Sequence, residues 1–192
     1  MEINIVSVFG GKKRGLVESA ALISYLAHAQ QTRKDDGSPY FIHPSMVAMK
    51  LVRYGFSDEV VAAGYTHDVL EDTTINAHEL IQVLSETVVR TIQDVSEDKS
   101  LPWEERKRTY ITQVCQASEA ARAVSIADKI HNLESLFSAH SVMGDEVWKV
   151  FHRGRDAKTW FEKTMLKEIQ NVWKHPLVDE YALLVAKMEM LP

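Results

Sequence analysis

The stretch SDEVVAAGYTHDVLEDT, residues 57–73, decides the fold and raises the question of function. Ser57 is a residue type that caps helix N-termini, and Asp58 and Glu59 suit the positive end of a helix dipole. At about 100° per residue, His67, Asp68, Glu71 and Asp72 fall within an arc of roughly 140°, while Val69 and Leu70 point away. The spacing predicts one helix over 60–72 with a packing face and a polar face that carries a histidine and three carboxylates. A solvated acidic helix end would explain the charge. The segment, however, is too apolar at Val60, Val61, Tyr65, Val69 and Leu70 to lie on an open surface. Carboxylates held this close repel one another unless something positive sits among them, and a divalent cation answers that repulsion.

Working outward, the rest of the chain reads as helix almost throughout. LVESAALISYLAHAQQ (16–31) is rich in helix formers with apolar residues on one face. KDDGSPYFIHP (34–44) is a turn-rich loop, and Pro44 suits the first turn of a helix that Gly55 would end. Helical patterns continue through NAHELIQVLS, SETVVRTIQDVSED, SLPWEERKRTYITQVCQ and SEAARAVSIADKIHNLESLFSAH. They run on through residues 145–173, with Gly154 as a weak point, to the final HPLVDEYALLVAKMEML. INIVSVF (3–9) alternates weakly and is read as a short strand or an ordered arm. The expected fold class is all-α: a compact bundle of helices joined by short loops, with residues 1–192 forming a single domain.

The totals narrow the function. The 192 residues suffice for one real core. A formal charge of −5 argues against non-specific binding of nucleic acid or membrane, both of which need a broad basic surface. An anionic small ligand remains compatible, since a pocket needs only local cations. The one cysteine, Cys115, cannot form an internal disulfide and is read as a small buried hydrophobe. With no signal-like start and no apolar run of membrane length, a cytoplasmic protein is expected. The oligomeric state is left open.

A second polar stripe lies in SIADKIHNLESLF, where Asp128, Asn132 and Ser135 share one side of a helix and Ile126, Ile130, Leu133 and Phe137 the other. A third polar element is His43, at the junction of loop and helix. Alone, each has an ordinary structural explanation. Together, His43, His67, Asp68 and Asp128 make a mixed nitrogen and oxygen set with no thiolate. Such a set suits a harder, open metal such as Mn²⁺ or Fe²⁺ better than a structural zinc.

These residues resemble the signature of the HD-domain phosphohydrolases. RKDDGSPYFIHPSMVA, THDVLEDTT, SEDKSLPWEERK and IADKIHNLESL together resemble the hydrolase domain of RelA/SpoT homologues, in particular the stand-alone small alarmone hydrolases. The resemblance implies that His43, His67, Asp68 and Asp128 hold Mn²⁺, and that Glu71 and Asp72 orient or deprotonate the attacking water. It implies that Arg33 and Lys34 flank the nucleotide, and that Asn132 and Ser135 contact its sugar-phosphate. Lys99, Arg106 and Lys107 would meet the outer phosphates. The implied activity is metal-dependent removal of the 3′-pyrophosphate of (p)ppGpp, with a small-molecule nucleotide as partner. Two alternatives stand beside it: the same chemistry on (p)ppApp or a phosphatase acting on NADPH, motivated by Asp35, Asp36 and Tyr65, and a catalytically silent nucleotide-binding regulator. The four tryptophans are expected to pack between helices, and Arg153 and Arg155 to be solvated. His78, His140, His152 and His175 are expected to be exposed, and His28 to lie just behind the site.

Overall fold

The computed structural model describes residues 5–9, 14–34, 36–151 and 153–191. In chain order the helices are α1 (Ile5–Phe9), α2 (Leu16–Ala27), α3 (Ile42–Arg53), α4 (Asp58–Thr66), α5 (Val69–Asp72) and α6 (Ala77–Val83). They continue with α7 (Glu86–Val95), α8 (Trp103–Gln116), α9 (Glu119–Met143), α10 (Gly154–Val172) and α11 (Pro176–Glu189); a 3-10 helix, Gly144–Val150, joins α9 to α10. Among the described residues there is no strand, only an isolated bridge between Thr32 and Pro39. None of the described helices is long and apolar enough to cross a membrane.

The spine is α9. Ser118 caps it, its hydroxyl accepting the Ala121 amide at 3.2 Å. The apolar side of its stripe is wholly buried at Ile126, Ile130 and Leu133. Around it pack α3, α4, α7, α8 and α11. The middle of α9 is covered on so many sides that Asp128 and Lys129 are buried too. Lys50 ties α3 to this arrangement, donating to Glu134 on α9 at 2.7 Å and to Glu180 on α11 at 2.8 Å.

Helix α4 lies against α2, α3, α7 and α9. Its tight seat on α3 depends on Gly64: a Cβ there would stand 2.5 Å from Leu51 Cδ1 and 3.3 Å from the Ala48 Cα. Gly64→Ala is therefore expected to destabilise the protein by about 1–3 kcal/mol, the usual cost of overpacking a dense interior. Denaturant unfolding of the two proteins checks this.

Two expectations need correction. Residues 5–9 form a helix, not a strand; Ile5 and Phe9, four apart, are both buried, and α1 packs on α6. Residues 3 and 4 of that stretch lie outside the described residues. The predicted helix over 60–72 is broken at 67–68, where the His67 ring donates from Nδ1 to the Gly64 carbonyl at 2.8 Å. That oxygen is the one an uninterrupted helix would offer to the Asp68 amide. The helical run over 145–173 breaks before Gly154, the weak point expected there, whose φ of +71° favours a residue without a Cβ.

Candidate metal centre and nucleotide cleft

The break between α4 and α5 turns His67 and Asp68 inward, toward the first turn of α3 and the middle of α9. Asp128 Oδ1 lies 3.1 Å from His43 Nε2 and 3.7 Å from His67 Nε2. Asp68 Oδ2 lies 3.1 Å from His67 Nε2 and 3.6 Å from His43 Nε2. Two imidazoles and two carboxylates thus alternate around one point. Donor atoms of His43, His67 and Asp128 all fall within 4.8 Å of one another. Ligands bonded at about 2.0–2.2 Å to a common cation stand up to about 4.4 Å apart, and the nitrogen–oxygen separations of 3.1–3.7 Å fall inside that span.

The fit to a cation shows in an orphaned atom. His67 Nε2 is buried and makes no hydrogen bond, although the two carboxylates face it. Its Nδ1 already donates to Gly64, which leaves Nε2 with a free lone pair in the neutral ring. Burial alone would push the His67 imidazole down, but the charges of Asp68 and Asp128 lift it well above the ordinary histidine value. Burial likewise works against ionised Asp68 and Asp128. The histidines pull Asp68 below the usual carboxylate range, and Lys129 together with the histidines does so for Asp128. The cluster is built to hold positive charge between two carboxylates.

Other groups fix these side chains. Tyr40 donates to Asp68 Oδ2 at 2.7 Å. Lys129 donates to Asp128 Oδ2 at 2.6 Å and Asn132 to Oδ1 at 2.6 Å. His43 Nδ1 stands 2.7 Å from His131 Nδ1. Burial, with the neighbouring His43 and Arg33, pushes His131 down to about 4, so it is neutral near pH 7. Tyr40, Lys129 and His131 escaped the sequence reading. Tyr40 and His131 each sit three residues from a predicted ligand, but a one-dimensional pattern does not say which neighbour turns inward.

The acidic pair stands beside the cluster. Glu71 Oε2 accepts the Glu97 amide at 3.1 Å. Burial raises the Glu71 carboxyl above its ordinary value. Lys99 donates to Asp72 and, at 2.9 Å, to the Glu71 carbonyl. It therefore braces the acidic pair and does not line the larger cavity described next. The Glu97 carboxylate, also unforeseen, binds Arg106 at 2.9 Å and Lys107.

Two cavities meet here. The smaller, about 140 Å³, is lined by His43, His67, Asp68, Glu71, Glu97 and Asp128 among others. The larger, about 760 Å³, is lined by Arg33, Lys34, Trp103, Arg106, Lys107, Arg153 and Lys158 among others. Tyr40, Lys129 and Asn132 line both. Arg33 reaches Asn132 Oδ1 at 3.4 Å. Ser135 lines neither cavity.

The basic residues near the C-terminal half are not simply solvated. Arg153 lines the cleft and lies over the Trp103 ring, while Arg155 lies over Trp148 and donates to the Leu191 carbonyl. Trp103 likewise lines the cleft as well as packing on Trp160. His28 is buried, ring to ring with Tyr40 behind the site. His78 is exposed, but His175 is half-buried and caps α11 by accepting the Leu177 amide; His140 is half-buried as well. His152 lies outside the described residues.

Helical architecture, the paired histidines and aspartates, and the cation-lined cleft define the class. The family model described as HD domain matches residues 20–153, and the chain belongs to that family. Among curated relatives, guanosine-3′,5′-bis(diphosphate) 3′-pyrophosphohydrolase MESH1 of Danio rerio is 42% identical over 112 residues, which cover 57% of this chain and 62% of that protein. MESH1 of Mus musculus is 38% identical over 130 residues, covering 66% of this chain and 72% of that protein. A crystal structure of lmo0812 from Listeria monocytogenes EGD-e has a TM-score of 0.71 at 35% identity, covering 76% of this chain and 97% of that one. A structure described as a metazoan ortholog of SpoT that hydrolyses ppGpp shares the fold, with a TM-score of 0.77 at 23% identity, covering 94% of this chain and 98% of that one.

Proposed function

We propose that the protein hydrolyses the 3′-pyrophosphate of (p)ppGpp-type alarmones, giving GDP or GTP and pyrophosphate. The observation that carries this reading is a pocket of two histidines and two aspartates opening directly into a cation-lined cleft of nucleotide size. The curated relatives with that activity in their names support it. His43, His67, Asp68 and Asp128 would hold the divalent cation, with Mn²⁺ the ion their mixed nitrogen and oxygen donors suit. When bound, such an ion supplies positive charge for phosphoryl oxygens and acidity for a water.

The chain's own residues do the rest. Glu71 stands beside the ligands, half-buried and held by the Glu97 amide, in place to accept the proton of the attacking water. Asp72, held by Lys99, assists in aiming it. Lys129, Arg33, Lys34, Arg106 and Lys107 oppose the charge of a substrate with two phosphorylated arms. Glu97 keeps Arg106 and Lys107 at a fixed distance from Glu71, because its carboxylate binds the cations and its amide binds the acid. Asn132 spans the two cavities, where the sugar must pass.

Among the described residues, those that suggested the adenine alternative do not support it. Asp36 accepts the Ser38 amide within its own turn, Tyr65 stacks on Phe41, and neither lines the cleft; Asp35 lies outside the described residues. The deciding experiment is incubation with Mn²⁺ and a panel of guanine and adenine 3′-pyrophosphorylated nucleotides, with products separated by chromatography. Pyrophosphate and GDP or GTP are expected from the guanine substrates, and chelation with EDTA should stop their release. No pyrophosphate from any member of the panel would end the proposal.

A further inference from the structure

The buried contact between two imidazoles behind the cluster has a chemical consequence. His43 Nδ1 and His131 Nδ1 stand 2.7 Å apart, and both rings are buried. At that distance one nitrogen carries the hydrogen and the other offers its lone pair. Two tautomeric arrangements satisfy this. In one, His131 donates, so His43 carries its hydrogen on Nε2 and points it at Asp128 Oδ1, 3.1 Å away. In the other, His43 donates from Nδ1 and its Nε2 lone pair faces the centre of the cluster. Only the second leaves His43 able to bind a cation.

We infer that His131 is a positioning residue, which accepts the His43 Nδ1–H and so fixes His43 in its cation-binding tautomer and orientation. A metal-bound histidine ordinarily gives its second nitrogen to a carboxylate, a carbonyl or water. His67 follows that habit through Gly64. His43 is held by another imidazole instead. A carbonyl can only accept, whereas an imidazole can donate or accept, so the pair has two arrangements without a cation; with one bound at His43 Nε2, His131 accepts and holds His43 in the tautomer that binds it. Among the described residues, His131 Nδ1 is the hydrogen-bond partner of His43 Nδ1. The inference rests on the cation reading of the cluster and is independent of the substrate.

The test is Mn²⁺ binding by the whole chain, followed by the electron paramagnetic resonance signal of the free ion. His131→Ala is expected to raise the Mn²⁺ dissociation constant about 10–100-fold, the usual effect of removing such a partner. His131→Gln, whose amide oxygen can still accept, should recover part of the loss. Circular dichroism establishes that both variants are folded. A second measurement needs no variant: ¹⁵N-histidine spectra of the wild-type protein loaded with diamagnetic Zn²⁺ should show the shared hydrogen on His43 Nδ1 and a separate hydrogen on His131 Nε2. Tight Mn²⁺ binding by the wild type, equalled by folded His131→Ala, would overturn the inference alone; so would a Zn²⁺-loaded spectrum with the hydrogen on His131 Nδ1. Absence of any Mn²⁺ binding by the wild type would remove the cation reading as well.

Discussion

Asp128→Ala is expected to abolish cation binding and to lower pyrophosphate release by at least about a thousandfold, equivalent to about 4 kcal/mol of transition-state stabilisation. Asp128 contributes twice over. Its Oδ1 faces both histidines, and its Oδ2 accepts from the buried Lys129 ammonium at 2.6 Å. Burial alone would push that ammonium down, and Asp128 holds it well above the ordinary lysine value. Removing the carboxylate therefore leaves a buried charge without its partner, which costs about 3–5 kcal/mol of stability. The two effects separate in a double variant. Asp128→Ala with Lys129→Met should regain most of the stability while remaining inactive and unable to bind Mn²⁺. Denaturant unfolding, Mn²⁺ titration and a pyrophosphate assay read the three quantities. Recovered activity in the double variant would show that Asp128 acts through the fold and not on the ion.

Glu71→Gln is expected to lower kcat by about 10²–10⁴-fold, the range associated with loss of a positioned general base. The amide keeps the shape of the side chain and can still accept the Glu97 amide. It cannot accept a proton. Glu71 is not among the four side chains facing the centre of the cluster, so the Mn²⁺ dissociation constant should stay within about twofold of wild type, and KM should change little. Two controls sharpen the reading. Asp72→Asn should cost less, since Asp72 is more exposed and already paired with Lys99. A Glu71→Gln protein that binds Mn²⁺ poorly would show instead that Glu71 belongs to the ligand set. Unchanged kcat would remove it from the chemistry.

Much of the candidate metal centre was legible because its parts are local words. His67-Asp68 with Glu71-Asp72 reads as a polar helical face, and the stripe through Asp128 and Asn132 has helical spacing. What remained illegible lies between those words. His131 reads as one polar residue among several on α9, and only the approach of α3 shows that it meets His43. Glu97 reads as part of a charged loop, and only the fold places its amide on Glu71 and its carboxylate on Arg106 and Lys107. Lys99, assigned to phosphate by resemblance, instead braces Asp72. Ser135 shares a face with Asn132 in projection, but the cleft ends short of it.

Periodicity and capping determined the all-α class and the helices on which the candidate metal-binding residues sit, because these depend on residues three or four apart along one element. The N-terminal segment and the break at 67–68 were decided in three dimensions: α1 is helical where Ile5 and Phe9 find α6, and α4 stops where a side chain takes a backbone carbonyl. Tertiary structure alone decided which buried polar groups face one another. Helical spacing sets the direction of a side chain, while the partner it meets depends on the packing of helices distant in the chain.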